Sequence, residues 1–445
     1  MAGIEKRIAE LVRAEGGRVF YVGGFVRDRL AGRDNKDTDI EVHGITPEQL
    51  YAILGKVGEP LSFGRSFGVF SLRGVDIDIA MPRRETAIGR GHKDFEIEID
   101  PFIGTYNAAR RRDFTINALM EDVLTGEIVD HFGGARDLRA GIIRHIDPET
   151  FIEDPLRVLR GAQFAARFGF TIAPETIELC RGIDLSTLSR ERIEEELRKA
   201  LLKADKPSIF FEALREMDQL DVWFPELGQL IGLEQDPVYH PEGDVWVHTM
   251  EVIDRAAGVR DKTSDPFAFM LLALSHDIGK IITTEFVKGR IHAYEHEIKG
   301  MPLVEQFVRR ITNENRVIDY VMNMVPLHMR PNMVASSRPA VKSTNKMFDA
   351  AVAPEDLIYF AMADKPVVSG DVSFTGDSEF LFERLRIYYE TMDKPYVMGR
   401  DLIEAGLEPG EYFTELLKYA HKLRLAGVPK EEAIKQVLGY YRAKK

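Results

Sequence analysis

Near Phe151 the hydrophobic pattern of this 445-residue chain changes period, and that change sets its broad architecture. Before it, short β-branched runs (Arg18–Val22, Thr38–Val42, Gly68–Leu72 and Val75–Ala80) alternate with turns and one helical stretch, Thr46–Val57. After it, apolar residues recur at helical spacing in Asp154–Phe168, Arg190–Leu202, Pro207–Met217, Val245–Ala257, Pro266–Ser275 and Glu411–Leu425. Leu233–Asp244 is rich in Pro, Gly and charge and reads as a connector, and Met329–Ser343 reads as a second loop-rich stretch. The expected class is α+β: a mixed head followed by a long all-α body. The expected boundaries are a head over 1–145, a helical neck over 146–232, a third domain over 233–370 and a helical tail over 371–445.

Composition narrows the partners. No stretch approaches the roughly 20 apolar residues of a membrane span, and the amphipathic N-terminus lacks a signal-peptide core. Cys180 is the single cysteine, which excludes an internal disulfide framework and suits the cytoplasm. The formal charge of −13 argues mildly against a nucleic-acid partner. Local basic clusters work the other way: Arg83-Arg84, Arg90 with Lys93, and Arg110-Arg111-Arg112 could neutralise phosphates, or could be solvated surface arginines.

The chemistry begins at Gly23-Gly24, where the first strand should end. Glycine there lets backbone approach a ligand, and the next helix's N-terminus suits a triphosphate. Asp37 and Asp39 follow, two apart and so on one face of a strand. Adjacent carboxylates repel and call for a cation, and Mg2+ prefers such oxygen ligands together with phosphates. A third acid is expected on a neighbouring strand, where Asp76 and Asp78 both qualify. The bland alternative is an edge strand with an acidic solvent face.

Farther on, Asp154 and Arg157 lie three apart at the start of a helix opened by Pro155. Such a pair is either a local salt bridge or a recognition element. Then come His248, the dipeptide His276-Asp277 on an otherwise apolar helix, and Asp364. Burying His-Asp requires partners, and imidazole suits a divalent transition metal. His296 and His328 are further ligand candidates, and His240 and His292 lie nearby in sequence.

Five stretches together resemble one family: Tyr21-Val-Gly-Gly-Phe-Val-Arg-Asp28, Lys36-Asp-Thr-Asp39, Arg111-Arg-Asp-Phe-Thr-Ile-Asn-Ala118, Phe132-Gly-Gly-Ala-Arg-Asp-Leu138 and Glu153-Asp-Pro-Leu-Arg157. Their order and spacing are similar to the class II tRNA nucleotidyltransferase and bacterial poly(A) polymerase family, within the polymerase β superfamily. The resemblance implies a polymerase β-like nucleotidyltransferase head with Asp37 and Asp39 as ligands of two Mg2+ ions, and it favours Asp78 over Asp76 as the third acid. It implies nucleotide binding by Gly23, Gly24, Arg27, Arg112, Asp113, Asn117, Asp154, Arg157 and Arg160. It further implies tRNA, CTP and ATP as partners, with no membrane or protein partner. The bases such a pair would read follow from chemistry: a carboxylate accepts from the exocyclic amine of C or A while a guanidinium donates to the ring nitrogen, and U or G presents a carbonyl instead. The stretch Met81–Ala109 resembles the family's flexible loop, with departures that leave full CCA addition, partial addition and poly(A) synthesis open.

The ordered set His248, His276-Asp277 and Asp364 resembles the HD phosphohydrolase superfamily. In relatives that carry such a domain after a Tyr239-His-Pro-Glu-Gly-Asp244 segment, the implied activities are phosphatase and 2′,3′-cyclic phosphodiesterase. A metal phosphohydrolase with an RNA-binding head is the reading of a different class.

Overall fold

The computed structural model describes residues 3–33, 38–61, 68–87, 95–365 and 376–444. The chain divides into two compact units, Met1–Ala204 with Ile209–Trp223, and Asp205–Ser208 with Phe224–Lys445.

The first unit holds the mixed sheet. Its strands are β1 (Arg18–Val22), β2 (Thr38–His43), β3 (Pro60–Leu61), β4 (Val69–Leu72), β5 (Val75–Ala80), β6 (Arg83–Ala87), β7 (Phe95–Ile99), β8 (Met120–Asp122) and β9 (Ile128–Val129). Seven of them form one sheet in the order β3-β4-β5-β2-β1-β8-β9, and β6 and β7 form a separate hairpin. Within the seven-stranded sheet, β2 and β5 run parallel, and the other pairs are antiparallel. Side-chain alternation explains the packing. Ile77 and Ile79 of β5 are buried while Asp76 and Asp78 point to the other, exposed face. On β2, Ile40 and Val42 face the core, so Asp39, Glu41 and His43 share the opposite face.

The expected elements formed with small shifts at their ends. The helix read at Thr46–Val57 is Pro47–Leu54, started by a capping box in which Thr46 and Gln49 exchange hydrogen bonds. The helix read at Asp154–Phe168 is Leu156–Phe168. Phe114 is fully buried between it and the head, its ring 5.6 Å from Phe151 and 5.9 Å from Phe164. Among its described residues the stretch Met81–Ala109, expected to be the family's flexible loop, holds the paired strands β6 and β7 and all but the last residue of the helix Gly104–Arg110.

The second unit is helical. Its central helix, Pro266–Ser275, is apolar all round, and Phe267 to Ser275 are all buried. The 18-residue window Pro266–Thr283 is long and apolar enough to pass as a membrane span by composition, but 78% of it is buried inside this unit. Met329–Ser343, expected as loop, is largely the helix Arg330–Ser337. Pro331 sits in its first turn, where a missing N–H costs nothing, and Arg338 ends it at φ 46. A hairpin, Thr284–Val287 with Arg290–Ala293, was not expected. Its turn residues Lys288 and Gly289 both have positive φ, as tight hairpins require. Lys-Gly is a weaker turn signal than Asn-Gly. The C-terminal helices Gly399–Glu404, Phe413–Leu425 and Lys430–Lys444 close over a small core of Leu402, Leu416, Ala420, Ala433 and Val437.

Phe114→Ala should lower the stability of the first unit by about 3–5 kcal/mol, because the ring fills a closed aromatic cluster. The check is a urea or thermal denaturation curve followed by a probe in that unit.

Candidate active site and candidate metal centre

In the head, β1 ends at Gly23 with φ 64 and ψ −133. A Cβ there would lie 3.2 Å from Arg112 Nη1 and 4.0 Å from Asp39 Oδ2. Glycine therefore keeps open a concavity between a guanidinium and a carboxylate, in a backbone conformation other residues rarely adopt. Asp39 stands directly opposite Asp78 in the parallel β2–β5 pair, with both side chains on one face. Neighbouring strands are about 4.8 Å apart, so the two carboxylates repel unless a cation lies between them. Asp37 lies outside the described residues.

The residues that follow form one hydrogen-bonded chain. Asp113 is buried and accepts from Arg160 Nε at 2.8 Å, Asn117 Nδ2 at 2.9 Å and the Phe114 N–H at 2.7 Å. Asn117 Oδ1 accepts from Arg27 Nη1 at 2.7 Å, and Arg27 Nε donates to Asp28 at 2.8 Å. The Arg27 guanidinium also lies 4.6 Å over the Phe168 ring. Burial alone would raise the pKa of Asp113, but the Arg160 charge and these hydrogen bonds hold it below the usual carboxylate range. Arg112 donates to Glu41 Oε2 at 3.2 Å, and His43 Nε2 lies 2.8 Å from Glu41 Oε1. Glu41 and His43 thus position Arg112, a link with no local sequence signal.

Asp154 and Arg157 adopt different partners from the mutual pair that their spacing allows. Arg192 Nη2 donates to both oxygens of Asp154 at 3.0 Å, and the Leu156 N–H donates to Oδ1 at 3.1 Å. The Arg157 guanidinium donates to the carbonyls of Thr150 and Arg111. Arg192 comes from the helix Arg190–Lys203, too far along the chain for sequence spacing to reveal it. The arginine clusters are largely engaged within the protein: Arg84 pairs with Asp100 and Arg110 with Asp147, each at 2.7 Å. Arg90 and Lys93 lie outside the described residues.

In the second unit, His248, His276, Asp277, His296, His328 and Asp364 converge. Each histidine has its Nδ1–H anchored. His276 donates to the Ala273 carbonyl at 2.8 Å, His296 to Ala293 at 3.0 Å and His328 to Val325 at 2.7 Å. His248 donates to Glu242 Oε1 at 2.7 Å. All four Nε2 lone pairs are thereby aimed inward, as metal ligation requires. His248 Nε2 is 3.1 Å from Asp364 Oδ1, and His276 Nε2 is 3.3 Å from His248 Nε2. Asp277 Oδ2 lies 3.2 Å from His276 Nε2 and its Oδ1 3.1 Å from His296 Nε2. His248, His276 and Asp364 make one donor triad, and Asp277, His296 and His328 make a second. The Asp277 carboxylate faces both.

The buried groups also shift one another's titration. Burial opposes charge on His248, yet hydrogen bonds to Asp364 and Glu242 push its pKa up to about 9. Burial, then the charges of His276 and His296, drives His328 down to about 3. Asp277 is held well below the usual range against its burial, chiefly by Lys280 and His276. Lys280 Nζ lies 2.8 Å from Asp277 Oδ2 and 2.9 Å from Gln235 Oε1. Neither Glu242, Gln235 nor Lys280 was singled out in the sequence. Gly279 explains how the second triad reaches the first: a Cβ on it would lie 2.0 Å from the His296 carbonyl oxygen. His240 and His292 line the cavity above the donors without belonging to either of the two inner triads.

Two outcomes are expected. Because the folded pKa of Asp113 is depressed, its stabilisation is complete above the unfolded carboxylate value of about 4 and is lost as pH falls below it. Acid titration of head stability should show this loss, and Asp113→Asn should flatten it. Gly279→Ala should displace His296 and roughly halve the transition-metal stoichiometry of the second centre, read by elemental analysis after dialysis.

Residues 19–144 match the family described as "Poly A polymerase head domain", and residues 169–230 match "Probable RNA and SrmB- binding site of polymerase A". A multifunctional CCA protein of Actinobacillus pleuropneumoniae serotype 5b is 38% identical over 340 residues, which cover 75% of this chain and 80% of that protein. One of Nitrosococcus oceani is 35% identical over 406 residues, 90% of this chain and 96% of that protein. Among solved structures, the Bacillus stearothermophilus CCA-adding enzyme in complex with CTP is similar with a TM-score of 0.68 at 20% identity, covering 100% of this chain and 99% of that one. The Thermotoga maritima CCA-adding enzyme complexed with tRNA gives 0.65 at 22% identity, covering 98% and 94%. These structures share the fold, and the sequence relatives establish kinship: the chain belongs to the class II tRNA nucleotidyltransferase family, alongside the multifunctional CCA proteins.

Proposed function

We propose that the chain adds C and A, taken from CTP and ATP, to the 3′ end of tRNA without a nucleic-acid template. The observation that carries this is the Asp39–Asp78 pair facing the Gly23 concavity and Arg112. Kinship with multifunctional CCA proteins supplies the tRNA end as acceptor. In the reaction the terminal ribose 3′-oxygen bonds to the α-phosphorus, the bond to the β-phosphate oxygen breaks, the hydroxyl proton is lost and pyrophosphate leaves. Asp37, Asp39 and Asp78 would hold Mg2+, which supplies charge neutralisation at the phosphates.

The protein's own groups do the rest. Gly23 and Gly24 let the triphosphate approach backbone. Arg112, steadied by Glu41, faces the phosphates, while Arg27, Asn117, Asp113 and Arg160 form the buried frame beneath the nucleotide. Asp154 accepts from the exocyclic amine of C or A, with Arg192 holding its carboxylate, and Arg157 donates to the ring nitrogen. U and G would leave these half-buried polar groups mismatched.

The second centre is a phosphohydrolase whose donors all come from residues 242–364, within the segment 233–370. With divalent transition metals in the two triads it would open or remove a phosphate at a damaged RNA end. In opening a 2′,3′-cyclic phosphate, a water oxygen bonds to phosphorus, one ribose–oxygen bond to phosphorus breaks, and that oxygen takes a proton.

Incubation with tRNA lacking its terminal residues and each labelled nucleotide should show incorporation from CTP and ATP, not UTP or GTP. Product length on a gel separates full CCA from A, CC or poly(A) addition. Asp39→Ala should reduce incorporation by at least about 100-fold, and absence of CTP and ATP incorporation by the intact chain would sink the reading. His276→Ala should abolish phosphoester hydrolysis and leave nucleotide addition in place. Hydrolysis lost in His276→Ala, in a chain that incorporates neither CTP nor ATP, would favour a hydrolase that uses its head only to bind RNA.

A further inference from the structure

We propose that the cavity above the second metal centre contains a base-binding subsite that selects adenine nucleotides. The proposal rests on reading that centre as a phosphohydrolase. The cavity measures about 490 Å³, within the range of sites that enclose a whole small-molecule ligand and far more than a phosphate group requires. Its floor carries the donors His248, Asp277, His296, His328 and Asp364. Its remaining walls include Tyr239, Ile291, His292, Met329 and Asn332. Charged and polar side chains, among them Glu234, Asp236 and Lys365, line it as well.

Two features define the subsite. The first is a stacking platform. His292 sits on the second strand of the Thr284–Ala293 hairpin, opposite Glu285, and its ring is stacked on Tyr294 at 4.8 Å and 11°. Tyr294 covers one imidazole face, so the plane is held ready for a flat ring on the other. Neither His292 nor Asn332 is needed to build the metal centre.

The second feature is Asn332, half-buried on the helix Arg330–Ser337. Asn332 lines the cavity, and its carboxamide makes no hydrogen bond to any described residue. A carboxamide offers one donor and one acceptor in a plane. Adenine presents the matching amine and N7 acceptor on one edge, whereas guanine presents two acceptors there. Purines also stack over more area than pyrimidines. Together the two features favour adenine over guanine through Asn332 and over uracil through His292.

The test compares hydrolysis of adenosine, guanosine and uridine 2′,3′-cyclic phosphates with that of base-free glycerol 1,2-cyclic phosphate by the metal-loaded full chain. Equilibrium binding of adenosine and guanosine 3′-phosphorothioates by calorimetry is the second readout. The intact protein should prefer adenosine about tenfold in both. Asn332→Ala should erase the adenosine-to-guanosine ratio. His292→Ala should lower the ratio of adenosine to glycerol turnover about tenfold, and His292→Phe, which keeps a flat ring, should retain it. Ratios that are the same in all three variants, or equal binding of both phosphorothioates by the intact chain, would overturn the subsite. The His276→Ala control separates the two layers. Hydrolysis persisting in His276→Ala refutes the phosphohydrolase reading itself, whereas hydrolysis lost there with unchanged base ratios elsewhere refutes only the subsite.

Discussion

A negative charge buried in protein needs a positive partner or a set of hydrogen-bond donors, and the head is organised around satisfying Asp113. Its oxygens gather the Arg160 guanidinium, the Asn117 amide and the Phe114 N–H. Through Asn117 the same chain of bonds reaches Arg27, which follows the glycine turn of β1. Phe114, next in sequence, drives its ring into the aromatic cluster with Phe151 and Phe164. One dipeptide therefore ties the glycine turn after β1 to the helix that carries Arg157 and Arg160.

The second unit solves the same problem differently. Asp277 is also buried, but its partners are imidazoles and one ammonium instead of guanidinium. Each imidazole is oriented by an outer bond, from Nδ1–H to a backbone carbonyl or to Glu242. Orientation is thus set by main chain that is itself fixed in helices and turns. The side chains have little freedom left to lose when a cation arrives.

How much of this could be read in the sequence depends on the range of the interaction. Alternating Asp and Ile in β5 announces a strand with an acidic face, because the period is local. Helices such as Val245–Ala257 and Pro266–Ser275 matched expectation for the same reason. The candidate ligand His276 was legible because a His-Asp pair closing an apolar helical run is a local anomaly, although the helix itself ends at Ser275. Arg192 was not, since it lies 38 positions along the chain from Asp154 and an arginine in a charged helix looks ordinary. Glu41 and His43 were hidden in a strand whose alternation does not show that both its faces are covered. The hairpin that presents His292 was missed because its Lys-Gly turn is an uncommon way to reach two positive φ angles.

The parallel pairing of β2 with β5 carries one more consequence. Side chains alternate across a sheet, so sliding β5 by a single residue would turn Asp78 inward and Ile79 outward. Ile77 and Ile79 forbid that slip, since exposing them forfeits their burial. The alignment of the two carboxylates is therefore inherited from oil-like side chains on the reverse of the same strand, which act as an indexing pin for chemistry they never touch.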